Sequence, residues 1–212
     1  MEVSLIILRL LMLQFTILGF LQTGQKLPSL PGASAAMAGL YCKVDKRFDV
    51  WKTPTSPLEG GLRPLRSITN ELQTSYPGIN MIRSFQGRGL IPSSAQTLAT
   101  NLGDFRSISV RRFADQVERE VETFLITLKD EQNGPATWEA ARAAINEYLY
   151  HIWQRGGLYG ETPQQAYYVR LGPGSTMTSE DIDQGLMQVT IGLAIIRTVE
   201  FLHFDFSSQL QV

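Results

Sequence analysis

Few residues of this 212-residue chain have the type and spacing to do chemistry. The lone Cys42 has no internal disulfide partner, which makes a reduced or redox-indifferent protein the default. His151 and His203 lie far apart, and neither has a second His, Cys or carboxylate at ligand spacing, so no metal site is expected. Nothing local supports Cys42 as a Cys/His nucleophile. Glu180, Asp181 and Asp183 could supply an acid and a base only inside an apolar pocket that raises one carboxyl pKa. No such pocket is legible, and they read as capping and surface charges. Ser84, Ser93 and Ser94 lack a nucleophile-elbow context. "GRGLIPS" has no Lys-Ser/Thr after its glycines, and "GGLYGETP" follows a helix instead of opening one, so neither cradles phosphate.

The remaining cluster is basic: Arg106, Arg111 and Arg112. It suits a phosphate or an acidic protein partner, and no aromatics interleave with it to stack bases. With 19 Lys+Arg against 20 Asp+Glu the net charge is -1, which leaves no global field to attract nucleic acid. No cofactor is expected. "HIWQRGGLYGETPQQAYYVR", His151 to Arg170, has the glycines and aromatics of a ligand loop. Its meaning depends on the elements around it.

Those elements are readable from periodicity. Ala35 to Val44 predicts a short helix, and "WKTPTSPLEGG" is too rich in Pro and Gly to continue it. Ile79 to Phe85, between "YPG" and "QGRG", predicts a buried strand. Val110, Phe113, Val117, Val121, Phe124 and Leu128 recur at steps of three or four and define one face of a long helix. A second helix is predicted from Thr137 to Arg155, with Trp138, Ala141, Ile145, Leu149 and Ile152 on its stripe, Thr137 as cap and Gly156-Gly157 as terminator. Gln164 to Leu171 reads as a strand, and Thr178 to Gly185 as a capped turn or polar loop. Met187, Val189, Ile191 and Leu193 alternate with Gln188, Thr190, Gly192 and Ala194, as a half-buried strand does. A last strand runs from Thr198 to Phe206, with Leu202, Phe204 and Phe206 on one face and Phe201, His203 and Asp205 on the other. The fold class is therefore α+β, two long helices packed on a mixed sheet. "HIWQR" becomes a helix end, "GG" its stop, "LYGETP" a turn and "QQAYYVR" a strand, so its aromatics pack a joint.

The beginning is different. Leu5 to Gln22, "LIILRLLMLQFTILGFLQ", nearly reaches the ~20 apolar residues of a membrane span. Glu2 and Arg9 argue against a signal peptide. A membrane segment, a buried helix, an assembly arm and a misplaced start all stay open. Residues 1–29 form this segment and its linker, and 30–212 the domain, with a C-terminal core about 104–212.

Taken in order, "SISVRRFADQVEREVETF", "WEAARAAINEYLYHIWQRGGLYGETPQQAYYVR" and "TSEDIDQGLMQVTIGLAIIRTVEFLHFDF" resemble the C-terminal domain of contractile-tail sheath proteins. That family is shared by contractile phages, phage-tail-like bacteriocins and extracellular contractile injection systems. "SAAMAGLYCKVDKRFDVWKTP" and "PGINMIRSFQGRGLIPSSAQTL" resemble the segments before that domain, where family members also carry an arm and further domains. The resemblance implies a non-enzymatic structural subunit of a virion tail or injection particle, assembled in the bacterial cytoplasm. Its partners would be other sheath subunits in stacked hexameric rings, an inner tube, and baseplate or cap proteins, with membrane contact through residues 5–22 as the alternative. In the family, terminal strands add to a neighbour's sheet. Here the candidate strand is Thr198 to Phe206, with Val199, Phe201, Leu202, Phe204 and Phe206 as its inter-subunit residues and its oily face offered to a neighbour. Arg111, Arg112, Asp115, Glu118, Arg119 and Glu122 are the candidate tube- or partner-facing charges. Deleting Thr198 to Val212 is expected to abolish polymerisation and leave a folded, if destabilised, subunit. A minimal sheath, an end-of-sheath subunit, a fragment of a longer frame and a membrane-tethered relative all fit.

Overall fold

The computed structural model describes residues 21–22, 33–58, 63–64, 67–76, 78–98, 104–195 and 201–211. The chain divides into two compact units, Met1–Arg112 and Phe113–Val212. Most of the apolar Leu5 to Gln22 run lies outside the described residues. Its last two residues, Leu21–Gln22, form strand β1. Among the described residues no helix is long and apolar enough to cross a membrane.

In the first unit, helix α1 (Ala33–Phe48) extends beyond the predicted Ala35 to Val44, because "ASAAMA" supplies good helix formers before it. It buries Ala33, Met37, Leu40, Tyr41 and Val44, a stripe at steps of three and four. Strand β2 (Arg63–Pro64) pairs antiparallel with β1. Short helix α2 (Asn70–Ser75) is capped by Thr69, whose hydroxyl accepts from the Leu72 amide. The buried strand expected at Ile79 to Phe85 is one arm of a hairpin: β3 (Ile82–Phe85) pairs antiparallel with β4 (Gly89–Pro92). Only Ile82 is buried on β3, whereas Leu90, Ile91 and Pro92 are buried on β4. Within the expected run Met81 and Ile82 are buried and Ser84 and Phe85 are exposed, and the "QGRG" break is a turn that joins the run to a second, more buried strand. Leu90 and Ile82 join the α1 stripe in one core.

Helix α3 (Ile108–Thr127) begins in the first unit and continues in the second. Phe113, Ala114, Val117, Val121 and Leu125 are its buried residues in the second unit. The predicted Phe124 and Leu128 are only half-buried. The stripe follows steps of four, which carries it from Val121 to Leu125 and leaves Phe124 on the flank. Helix α4 (Pro135–Gln154) buries the five residues expected of it. Its N-cap is Gly134, with Pro135 at the first position, not Thr137. Proline fixes a helical φ where no amide partner is needed, and Thr137 instead donates its hydroxyl to the Gln132 carbonyl at 2.7 Å. The helix ends as expected: Gly156 has φ +78°, its amide bonds the Trp153 carbonyl, and the Gly157 amide reaches Ile152.

After that stop come a single helical turn, α5 (Pro163–Ala166), and strand β5 (Tyr167–Leu171), where one strand from Gln164 was expected. Pro163 at the first helical position explains the change. Helix α6 (Ser179–Asp183) precedes strands β6 (Leu186–Leu193) and β7 (Leu202–Gln209). The sheet runs β5-β6-β7, and both of its pairings are antiparallel. Register stacks Leu171, Val189 and Phe206, then Val169, Ile191 and Phe204, then Tyr167, Leu193 and Leu202, across one face. That face is the unit's core, and α4 packs against β5 beside it. The chain is α+β, as its periodicities required.

Candidate functional site

Strand β7 is the candidate inter-subunit strand. Its burial alternates strictly: Leu202, Phe204 and Phe206 are buried, and His203, Asp205 and Ser207 are exposed. The oily face expected to await a neighbour is therefore filled within the subunit. At about 1.5–3 kcal/mol per large apolar side chain, leaving three exposed on a monomer would be costly, and the sheet's own core takes them. What β7 leaves open is its edge, because it is the last strand of the sheet and no described strand pairs with its outer side. The end of the strand is tied down: the Gln211 amide bonds Glu131, the Asn133 amide bonds Gln211, and Leu210 bonds Gly185. Of the five residues proposed on this strand, Phe201 lies half-buried just before it, and Val199 falls outside the described residues.

The outward face of the sheet holds a connection that sequence alone did not single out. Tyr168 on β5 is opposite Gly192 on β6, which is opposite His203 on β7. A Cβ on Gly192 would sit 2.2 Å from Tyr168 Cε1, so the phenol ring occupies the space a side chain would fill. The ring crosses β6, and its hydroxyl lies 2.6 Å from His203 Nδ1. Phe201 meets it edge-on with centroids 5.4 Å apart, and the Arg170 guanidinium lies 4.8 Å from its centroid. Next to it, Thr190 donates to Asp205 at 2.6 Å. Alternation set Gly192 and His203 opposite the apolar faces of their strands, but the register that aligns them with Tyr168 is not written in any one strand.

The proposed partner-facing charges separate into two groups. Arg112 is not free to face a partner: its guanidinium makes two bonds to the Asp45 carboxylate, 3.0 and 2.5 Å, and stacks 4.6 Å from the Tyr41 ring centroid. Arg111 lies 4.7 Å from the Phe105 ring centroid. Burial pushes the Tyr41 phenol up to about 12, against the opposing pull of Arg112. Asp115 and Glu118 are half-buried, whereas Arg119 and Glu122 are exposed. Arg119 approaches Glu120 at 3.9 Å.

The candidate chemical groups are placed as follows. Asp181 closes a capping box with Thr178, accepting from the Thr178 amide and hydroxyl, and those bonds lower its pKa. Glu180 and Asp183 are exposed. Cys42 is exposed, and His151 lies 4.0 Å from Glu147 on the surface of α4. Among the described residues no three His, Cys, Asp or Glu side chains gather as metal ligands.

The family model of the phage tail sheath C-terminal domain matches residues 102–209, which takes in α3 to α6 and the whole β5-β6-β7 sheet. The chain belongs to the phage tail sheath family. The tail sheath protein of Vibrio phage KVP40 is 23% identical over 129 residues, 58% of this chain and 19% of that protein. Among solved structures, the sheath of the extracellular contractile injection system PVC, in its contracted state, is 41% identical with a TM-score of 0.79, covering 89% of this chain and 54% of that one. The contracted helical sheath of the anti-feeding prophage is 38% identical with a TM-score of 0.75, covering 87% of this chain and 53% of that one. This sheath chain thus spans about half the length of those solved relatives and about a fifth of the phage protein.

Proposed function

We propose that the chain is a non-enzymatic subunit of a contractile sheath, polymerising helically around an inner tube and contracting to drive that tube through a target envelope. The carrying observation is β7, whose apolar face is filled and whose edge is open, so that a neighbouring copy can extend the sheet by main-chain hydrogen bonds. A head-to-tail contact of this kind gives an open helix where its rotation does not close. Membership of the sheath family and the similarity to sheaths of contractile injection systems support the same reading. Copies would stack as hexameric rings, meet a baseplate or cap at the ends, and assemble in the bacterial cytoplasm. The exposed Arg119 and Glu122, with Asp115 and Glu118 beside them, are the charges proposed to meet the tube or a neighbour.

Expression of the chain with the products of its neighbouring genes, followed by negative-stain microscopy, tests the proposal. Sheath-like cylinders are expected. Tubes that stay bare while the chain remains monomeric would overturn it.

A further inference from the structure

An edge strand pairs with a neighbour at lower entropic cost when its own position and twist are already set, because less has to be ordered as the main-chain bonds form. The inner side chains of β7 fix its depth in the core. On the outer side, cross-strand contacts normally reach one strand away, over about 4.5–5.5 Å. Tyr168 reaches two strands away because Gly192 offers no side chain, and it touches both Phe201 and His203 at the start of β7.

We infer that Tyr168, lying in the slot left by Gly192, is a positioning residue for assembly, a strap that holds the entry of edge strand β7 at His203 in the geometry a second copy of this chain pairs with. The inference rests on the proposed sheath function and adds the residue that sets the edge. The hydroxyl donates where Nδ1 is bare and accepts where Nδ1 carries the proton, so the strap does not require one tautomer. Arg170 lies over the ring and supplies a cation that favours the ring's electron-rich surface, and Asp205 accepts from Thr190 beside it. Glycine opposite an aromatic also stabilises a sheet by simple coverage. The two roles separate experimentally, because coverage survives loss of the hydroxyl and the strap does not.

The test uses the full chain with Tyr168→Phe, which keeps the ring over Gly192 and removes only the bond to His203. Hydrogen-deuterium exchange should quicken about five- to tenfold in peptides covering β7, and stay unchanged in β5 and α4, as expected for one lost hydrogen bond at a locally opening strand. Particle yield on co-expression should fall several-fold. His203→Gln, whose amide oxygen can accept from the phenol, should retain more particles than His203→Ala. Gly192→Ala should displace the ring and match or exceed the effect of Tyr168→Phe. Unchanged β7 exchange in Tyr168→Phe would overturn the strap whether or not particles form. Faster exchange with wild-type particle yield would overturn its role in assembly. If the wild-type chain forms no particles at all, the sheath proposal fails on its own, and the exchange result still decides the strap.

Discussion

Phe204→Ala distinguishes a β7 face that fills the subunit core from one that waits for a neighbour. Phe204 is 6% exposed, stacked in register with Ile191 and Val169. Removing a buried phenyl ring costs about 3–5 kcal/mol through lost transfer energy and the cavity left behind. That is a large part of the ~5–15 kcal/mol that holds a domain together. For a unit of about 100 residues it corresponds to a fall in melting temperature of roughly 12–40 °C, at 4–8 °C per kcal/mol. Thermal unfolding of the unassembled chain, followed by circular dichroism, reads this directly. His203→Ala, on the exposed face of the same strand, serves as control and should move the midpoint by only a few degrees. A Phe204→Ala midpoint within about 3 °C of wild type, together with lost assembly, would refute the reasoning, because it would mean the ring is buried only between copies. The same burial revises the expected effect of deleting Thr198 to Val212. That deletion removes Leu202, Phe204, Phe206 and Leu210 from the core, so a truncated chain should fail to fold as well as fail to polymerise.

Three further outcomes follow from particular contacts. Gly160, at φ +148°, lies where an added Cβ would stand 2.9 Å from the Ala166 amide nitrogen, so Gly160→Ala should lower stability by about 2–3 kcal/mol; Gly156→Ala, where space is open, should cost about 1 kcal/mol, both by denaturant titration. Asp45→Asn leaves Arg112 without its anionic partner beside Tyr41 and should cost about 1–3 kcal/mol, and a double-mutant cycle with Arg112→Met should give a coupling energy above 0.5 kcal/mol. Burial raises the Tyr41 and Tyr148 phenols to about 12, from 10.0 in the unfolded chain, so the unfolded state loses these protons first. Stability should be intact below pH 10 and fall as pH rises from there towards 12, measured as a declining denaturant midpoint; a flat midpoint across that window would contradict it.

Local pattern made much of the fold legible. The α4 stripe and its Gly156-Gly157 stop follow from side-chain period and from the backbone freedom of glycine, both of which are properties of short windows. Windows fail where a partner decides. Pro135 took the helix start from Thr137, and the hairpin turn at "QGRG" brought a second strand, β4, that buries more of its residues than β3 does. The candidate strand was legible from the alternation around Phe204, but which face meets the core depends on its register with β6, and that is tertiary information. Arg112 looked like a surface cation because its partner, Asp45, lies 67 residues earlier. Gly192 was legible opposite an apolar face and Tyr168 as a strand residue; only the register across three strands joins them to His203.

Helical reconstruction by electron cryomicroscopy of particles formed by the chain with its tube and baseplate partners tests the central claim most directly. The expected result is a cylinder around the tube in which a strand from a neighbouring copy lies along the outer edge of β7, with Leu202, Phe204 and Phe206 still buried within their own subunit. A cylinder whose β7 edge faces solvent would contradict the assembly mode, and tubes that carry none of this chain would contradict the sheath function itself.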